Sequence, residues 1–305
     1  MSVDLRHVAA DYLNDRRARG YRLADHDWLI AAFLDGLDAR GTTTITVDDA
    51  VAFALRPGTG QQWQAARLRA IRELAAHVHA LDPAAAQLIP AGLIPAKATR
   101  RIPYLYSDEQ IVALMSAAAT LSPPPLAASM HTLIGLSAAT GLRSGEAVAL
   151  NIEDLYTDRG VMTVTGKHGK QRAIPLHPTT IEALTGYLQA RRAPPTGPLL
   201  VGAKGGRLNR NTARAAFRKV VDDCRLPARP GCETPRLHDL RHAFAVSSLI
   251  DAHRQGADVD ARIAALATYL GHTNPANTYW YLTASPELMA IVSDRLTACH
   301  KRGRR

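Results

Sequence analysis

Thr140-Gly141-Leu142-Arg143-Ser144-Gly145-Glu146 is the stretch on which the fold and function of this chain turn. An apolar helix predicted over 126–139 runs into a glycine, and a second helix starts at once over 144–150. Arg143 therefore stands at a helix mouth, where unpaired backbone N–H groups and the helix dipole favour an anion. A guanidinium adds a planar, two-pronged donor that suits a phosphate. Glu146 lies one turn further on and can orient it. The same residues also fit a surface Arg–Glu pair at i, i+3, and the stretch alone does not separate the two.

Three further motifs follow on the C-terminal side. Val161–Gly166 and Gln171–Leu176 alternate as strands do and frame a hairpin whose tip reads Gly166-Lys167-His168-Gly169-Lys170-Gln171-Arg172. A lysine there can reach a scissile bond and act as a general acid, or it can simply make the turn soluble. His238-Asp239-Leu240-Arg241-His242 puts His238 and Arg241 on one helical face, with Leu240, Ala243 and Phe244 on the opposite, buried side. An arginine to neutralise a phosphate oxygen beside a histidine to manage a proton suits a phosphodiester. His238 and His242 at i, i+4 lack the HExxH pattern, so a metal site is not implied. Last, Leu270-Gly271-His272 precedes Tyr281 by nine residues, counted from the histidine. Taken alone, Tyr281 fits a packed aromatic, and Tyr279 is an equal claimant to any role.

The remainder of the chain fits these motifs. Its 305 residues allow two domains, and 47% apolar content points to a globular protein. Net charge is +10. Residues 1–97 hold eleven basic and eleven acidic side chains, so the whole excess falls on 98–305. A basic domain of that size points to a polyanion, most commonly nucleic acid, against the plainer possibility of a soluble basic protein. Cys224, Cys232 and Cys299 are too few and too scattered for a disulfide framework or zinc cluster. No apolar run approaches the roughly 18 residues that span a membrane. The opening MSVDLRHVAADYL does not read as a signal peptide. A cytoplasmic location is expected.

Helical spacing predicts a small bundle in residues 1–97, with helices over 5–19, 27–40, a short one from Asp48 capped by Thr46, and 61–81. Residues 98–107 are expected as a basic linker within the proline-containing stretch Ile94–Tyr106. The second domain, 108–305, is expected to be mostly helical around the hairpin, with helices near 108–119, 126–139, 144–150, 179–192, 209–224, 238–253, 260–270 and 286–299.

The ordered set TGLRSGE, GKHGK, HDLRH, LGH and the terminal tyrosine resembles the tyrosine recombinase (phage integrase) superfamily. The six positions that match its catalytic set are Arg143, Lys167, His238, Arg241, His272 and Tyr281, with Glu146 in support. The gap after His272 favours Tyr281 over Tyr279. The match covers about 108–285, while the front half is similar in layout only. The segment NTYWYLTASPELM also resembles transposon-borne members.

The resemblance implies a mainly α protein: an N-terminal four-helix, SAM-like core-binding domain, then a mixed, mostly helical catalytic domain with a small antiparallel sheet. It implies cutting and rejoining of DNA through a 3′-phosphotyrosyl intermediate, with integration, excision or transposition as outcomes. No metal, ATP or other cofactor is implied. Partners would be double-stranded DNA recombination sites, further copies of the chain in a tetramer on DNA, and other recombinases, with no membrane. Candidate DNA contacts are Arg67, Arg69 and Arg72 in the bundle, Arg100 and Arg101 in the linker, Lys170 and Arg172 in the hairpin, and the tail Lys301–Arg305. Residues 286–299 would form an amphipathic helix docked on a neighbour or on its own domain. A non-catalytic DNA-binding partner of another recombinase and a type IB topoisomerase are the alternatives.

Overall fold

Apolar side chains at helical spacing build the first of two compact units, Met1–Arg100 and Arg101–Arg305. The computed structural model describes residues 3–21, 23, 25–58, 60–95, 102–166, 169–227, 232 and 234–272. In the first unit α1 (Leu5–Ala18), α2 (His26–Asp38), α3 (Val47–Ala54) and α4 (Gln61–Leu81) bury Leu29, Phe33 and Leu37 against Ile71, Leu74 and Val78. Asp4 caps α1, accepting from Arg6 N at 2.9 Å, and Thr46 Oγ1 caps α3, accepting from Asp49 N at 3.1 Å. The four expected helices are present. Sequence periodicity did not reveal the return of the chain after α4, where Ile45 N donates to Ala85 O and Gln87 N to Ile45 O.

The second unit begins at the residues expected as linker. Tyr104 and Tyr106 are buried, and their hydroxyls donate to Pro227 O (3.2 Å) and Arg236 O (3.0 Å). Next come α5 (Asp108–Ala119), α6 (Pro124–Thr140), α7 (Ser144–Ala149), a 3-10 turn (Ile152–Asp154), β1 (Leu155–Tyr156), β2 (Val161–Thr165), β3 (Gln171–Pro175), α8 (Pro178–Ala190), α9 (Arg210–Cys224), α10 (Asp239–Arg254) and α11 (Val259–Leu270). Ser107 and Gln110 cap α5 reciprocally. The strands form one antiparallel sheet in the order β1-β2-β3. The expected hairpin is β2–β3; the third strand, β1, has only two residues, too few for any periodicity to show.

The chain is thus mostly helical with one small antiparallel sheet. Met162, Val164 and Ile174 fill the core face of the sheet, and α10 packs on α6 and α11. Among the described residues no helix is long and apolar enough to cross a membrane.

Candidate active site

Gly141 ends α6 in the left-handed conformation, with φ of 61°. A Cβ there would lie 2.5 Å from Phe244 Cδ1, so α10 closes on the turn only because this residue is glycine. The turn delivers Arg143 to the N-terminus of α7, as expected. Glu146, 7% exposed, accepts from Arg143 N at 3.1 Å and from Arg143 Nη1 at 2.8 Å. Burial alone would raise its pKa, but hydrogen bonds from Arg172 and Arg143 outweigh that and hold it at about 2.

Arg241, in the first turn of α10, is 1% exposed. Its guanidinium donates to Gly141 O (2.8 Å) and Leu270 O (2.7 Å), and Nη2 lies 3.0 Å from His272 Nε2. A buried cation needs such acceptors to offset lost hydration. Arg143 Nη2 reaches the next carbonyl, Gly271 O, at 3.0 Å. Gly271 takes φ of 66° as the C-cap of α11, and His272 follows with its N–H on Ala267 O. The last carbonyls of α11, which have no partner within the helix, thus gather both arginines and His272 in one place.

His238 stands at the N-cap of α10 with its ring edge-on to His242, centroids 4.9 Å apart. The ring is exposed at the surface, yet desolvation by the turn beneath it, and then the charges of Arg241, Arg236, Arg143 and Arg210, lower its pKa to about 4. Burial and the same kind of cationic surroundings bring His272 to about 4 and His242 to about 3. All three rings are neutral at pH 7, so His238 can take a proton.

Five expected site residues, Arg143, Glu146, His238, Arg241 and His272, therefore meet. Lys167, Tyr281, Tyr279, Arg100, Arg101, the helix over 286–299, Cys299 and the basic tail lie outside the described residues. On α4, Arg69 is exposed, Arg72 is half-buried, and Arg67 donates to Arg56 O at 3.3 Å. Lys170 is exposed. Arg172, expected beside it as a DNA contact, points inward instead. It pairs across the sheet with buried Val164 and shares the core face with Ile174, two residues on. The alternation in Gln171-Arg172-Ala173-Ile174 is consistent with that face.

Sequence reasoning missed three groups. Asp239, fully buried, accepts from Arg236 N (2.9 Å) and Nη2 (2.8 Å) and fixes the turn that presents His238. Arg207 caps the far end of α7 by donating to Val148 O, Ala149 O and Leu150 O. Arg210, Arg214 and Arg218, spaced four apart on α9, line a groove of about 450 Å³ with Ser144, Arg236 and His238. Their i, i+4 spacing beside the buried Ala213 and Phe217 was the available signal. Among the described residues no group of three or more His, Cys, Asp or Glu side chains is placed to hold a metal.

The family model described as the phage integrase family matches residues 105–287. The chain belongs to the phage integrase family, the tyrosine recombinases. Among its relatives is a Sinorhizobium fredii protein named as an integrase/recombinase (y4rB), 36% identical over 95% of this chain and 96% of its own length. The tyrosine recombinase XerC of Rhodospirillum centenum is 36% identical over 68% of this chain and 58% of its own. In fold the chain matches the Tn1549 transposon integrase, solved with a circular intermediate DNA, at a TM-score of 0.60 and 17% identity, covering 95% of this chain and 99% of that one. Membership makes this a recombinase fold with site-specific DNA recombination as its activity.

Proposed function

We propose that this recombinase cuts and rejoins duplex DNA through a 3′-phosphotyrosyl intermediate on Tyr281. The observation that carries the proposal is the convergence of Arg143, Arg241 and His272 at the end of α11, nine residues before that tyrosine, with His238 near enough to feel the charges of both arginines. Negative charge builds on the phosphorus as the tyrosine Oη attacks, and fixed cations lower that barrier. Two guanidiniums supply them. Glu146 and Asp239 are both committed to arginines, which supports a reaction that needs no metal.

The new bond is Oη–P and the bond lost is P–O5′. His238 takes the tyrosine proton, and bound phosphate raises its low pKa toward the working range. Lys167 protonates the departing O5′, and His272 holds a non-bridging oxygen. The ester keeps the phosphodiester energy, so a 5′-hydroxyl of another strand reverses the step without ATP. Arg210, Arg214 and Arg218 grip DNA backbone beside the site, with Arg67, Arg69, Arg72, Arg100, Arg101, Lys170 and the basic tail contributing elsewhere. Strand exchange takes place in a tetramer on two DNA sites, of this chain alone or with a sister recombinase.

The test is incubation with a nicked duplex that traps the covalent intermediate, with and without EDTA. Wild-type protein is expected to give an adduct in both, and Tyr281→Phe none. A wild type without adduct, or an adduct that survives in Tyr281→Phe, would overturn the proposal.

A further inference from the structure

The buried ion pair between Arg172 and Glu146 touches three of the segments that build the site: the start of α7, the root of the hairpin tip and the end of α11. Arg172 Nη2 lies 2.8 Å from Glu146 Oε2 and Nη1 3.1 Å from Oε1, a two-pronged contact. Glu146 in turn holds the backbone and guanidinium of Arg143. Arg172 Nε donates to Tyr269 O at 2.9 Å. A Cβ on Gly166, the residue before Lys167, would stand 3.7 Å from both Arg172 Nη1 and Glu146 Oε1, so the root of the hairpin tip runs directly along the pair. A Cβ on Gly271, the residue before His272, would stand 3.2 Å from Arg172 Nη1.

Three successive carbonyls at the end of α11 are therefore held by three different arginines: Tyr269 O by Arg172, Leu270 O by Arg241, and Gly271 O of the C-cap by Arg143. Two of these arginines must also serve a phosphate, which competes with the carbonyls for the same N–H groups. Arg172, with a side chain 16% exposed, faces the carboxylate instead. It alone of the three can keep its grip on the helix end when the other two turn to DNA.

We propose that Arg172 is a positioning residue of the recombination reaction: through Glu146 and Tyr269 O it holds Arg143, the root of the Lys167 hairpin and the end of α11 in one register, and it does not bind DNA. The inference rests on the recombinase reading above. The experiment compares wild type, Arg172→Gln, Arg172→Lys, Glu146→Gln and the double variant Arg172→Gln/Glu146→Gln. Three quantities are read: adduct rate at saturating nicked duplex, DNA affinity against salt, and folding by circular dichroism. Misplacing the site should slow adduct formation by about ten- to a hundredfold in Arg172→Gln. Arg172→Lys, which keeps the charge and loses the fork, should be slowed as well. The double variant should be no slower than the worse single, because both changes break one contact.

DNA affinity should stay within about twofold with an unchanged salt slope, whereas loss of a phosphate contact would lower that slope by about 0.9. A wild-type rate in Arg172→Gln, a lowered salt slope, or rate losses that multiply in the double variant would overturn the inference. If Arg172→Gln does not fold, Arg172→Lys decides it by the same readings. A wild type that forms no adduct brings down the recombinase mechanism itself; an active wild type with an unaffected Arg172→Gln brings down this inference alone.

Discussion

Both units are rich in arginine, and the surface pairs of the first contrast with the inward-facing arginines at the site of the second. In residues 1–100 most of the ion-paired guanidiniums lie on the surface against aspartates: Arg6 on Asp35 and Asp38, Arg17 on Asp27, Arg19 on Asp15, Arg40 on Asp49. At the site in residues 101–305, Arg143, Arg172 and Arg241 turn inward onto backbone carbonyls and the buried Glu146, while Arg210, Arg214 and Arg218 on α9 stay exposed. A surface pair is screened by water and holds nothing in place. A guanidinium that satisfies buried carbonyls is fixed in direction, since leaving those acceptors unpaired is costly. Arginine builds a site where it has no water to turn to, and abundance alone says little.

The largest expected effect lies at the most buried of these side chains. Arg241→Ala should lower the adduct rate by about 10²–10³-fold and shift the urea midpoint down, because Gly141 O and Leu270 O lose their donor. An adduct rate near wild type would break the contrast between inward and outward arginines. Glu146→Ala leaves Arg143 and Arg172 facing each other without a carboxylate and should cost about 3 kcal/mol of stability, measured by urea unfolding.

Acid sharpens the same contrast. The native pKa values of His238, His242 and His272 lie below the ordinary histidine value, at about 4, 3 and 4. An unfolded chain therefore takes up protons that the native site refuses, and stability falls as pH drops from about 6.5 toward 4. Glu146, with a pKa of about 2, is still ionised through that window; its contribution is lost only below it, as pH falls through that value. Urea midpoints at pH 7.5, 5 and 3 follow both steps. On α9, Arg214→Ala should weaken DNA binding whatever the sequence and lower the log–log salt slope by about 0.9. The smallest effect belongs to the outer pair: Arg17→Ala should change stability by under about 1 kcal/mol, since both partners are about half exposed.

Much of this was legible in the chain itself. Helix boundaries followed from local signals, such as Ser107 and Gln110 at the start of α5 and Gly141 and Gly271 at helix ends. The site residues followed from spacing, with Arg143 at a helix mouth and His238 and Arg241 three apart. What escaped was non-local or misread. β1 exists only because Leu155 and Tyr156 find Met162 and Val161, and Tyr104 and Tyr106 look like linker until Pro227 and Arg236 accept their hydroxyls. Arg172, a candidate DNA contact by its basic neighbours, is paired with Glu146 and Tyr269 O, partners that lie far along the chain.

By itself, the amino-acid sequence determined which residue types occur, in what order, and on which helix or strand face each one stands, because capping and periodicity act within a few residues. The tertiary structure alone decided where each guanidinium points. That direction depends on acceptors far along the chain: Arg143 meets Gly271, Arg172 meets Glu146 and Tyr269, and Arg241 meets Gly141 and Leu270. No local pattern records such pairings, since they arise only when α11 is laid against α7, α10 and β3 and the exposed carbonyls at its end must find donors.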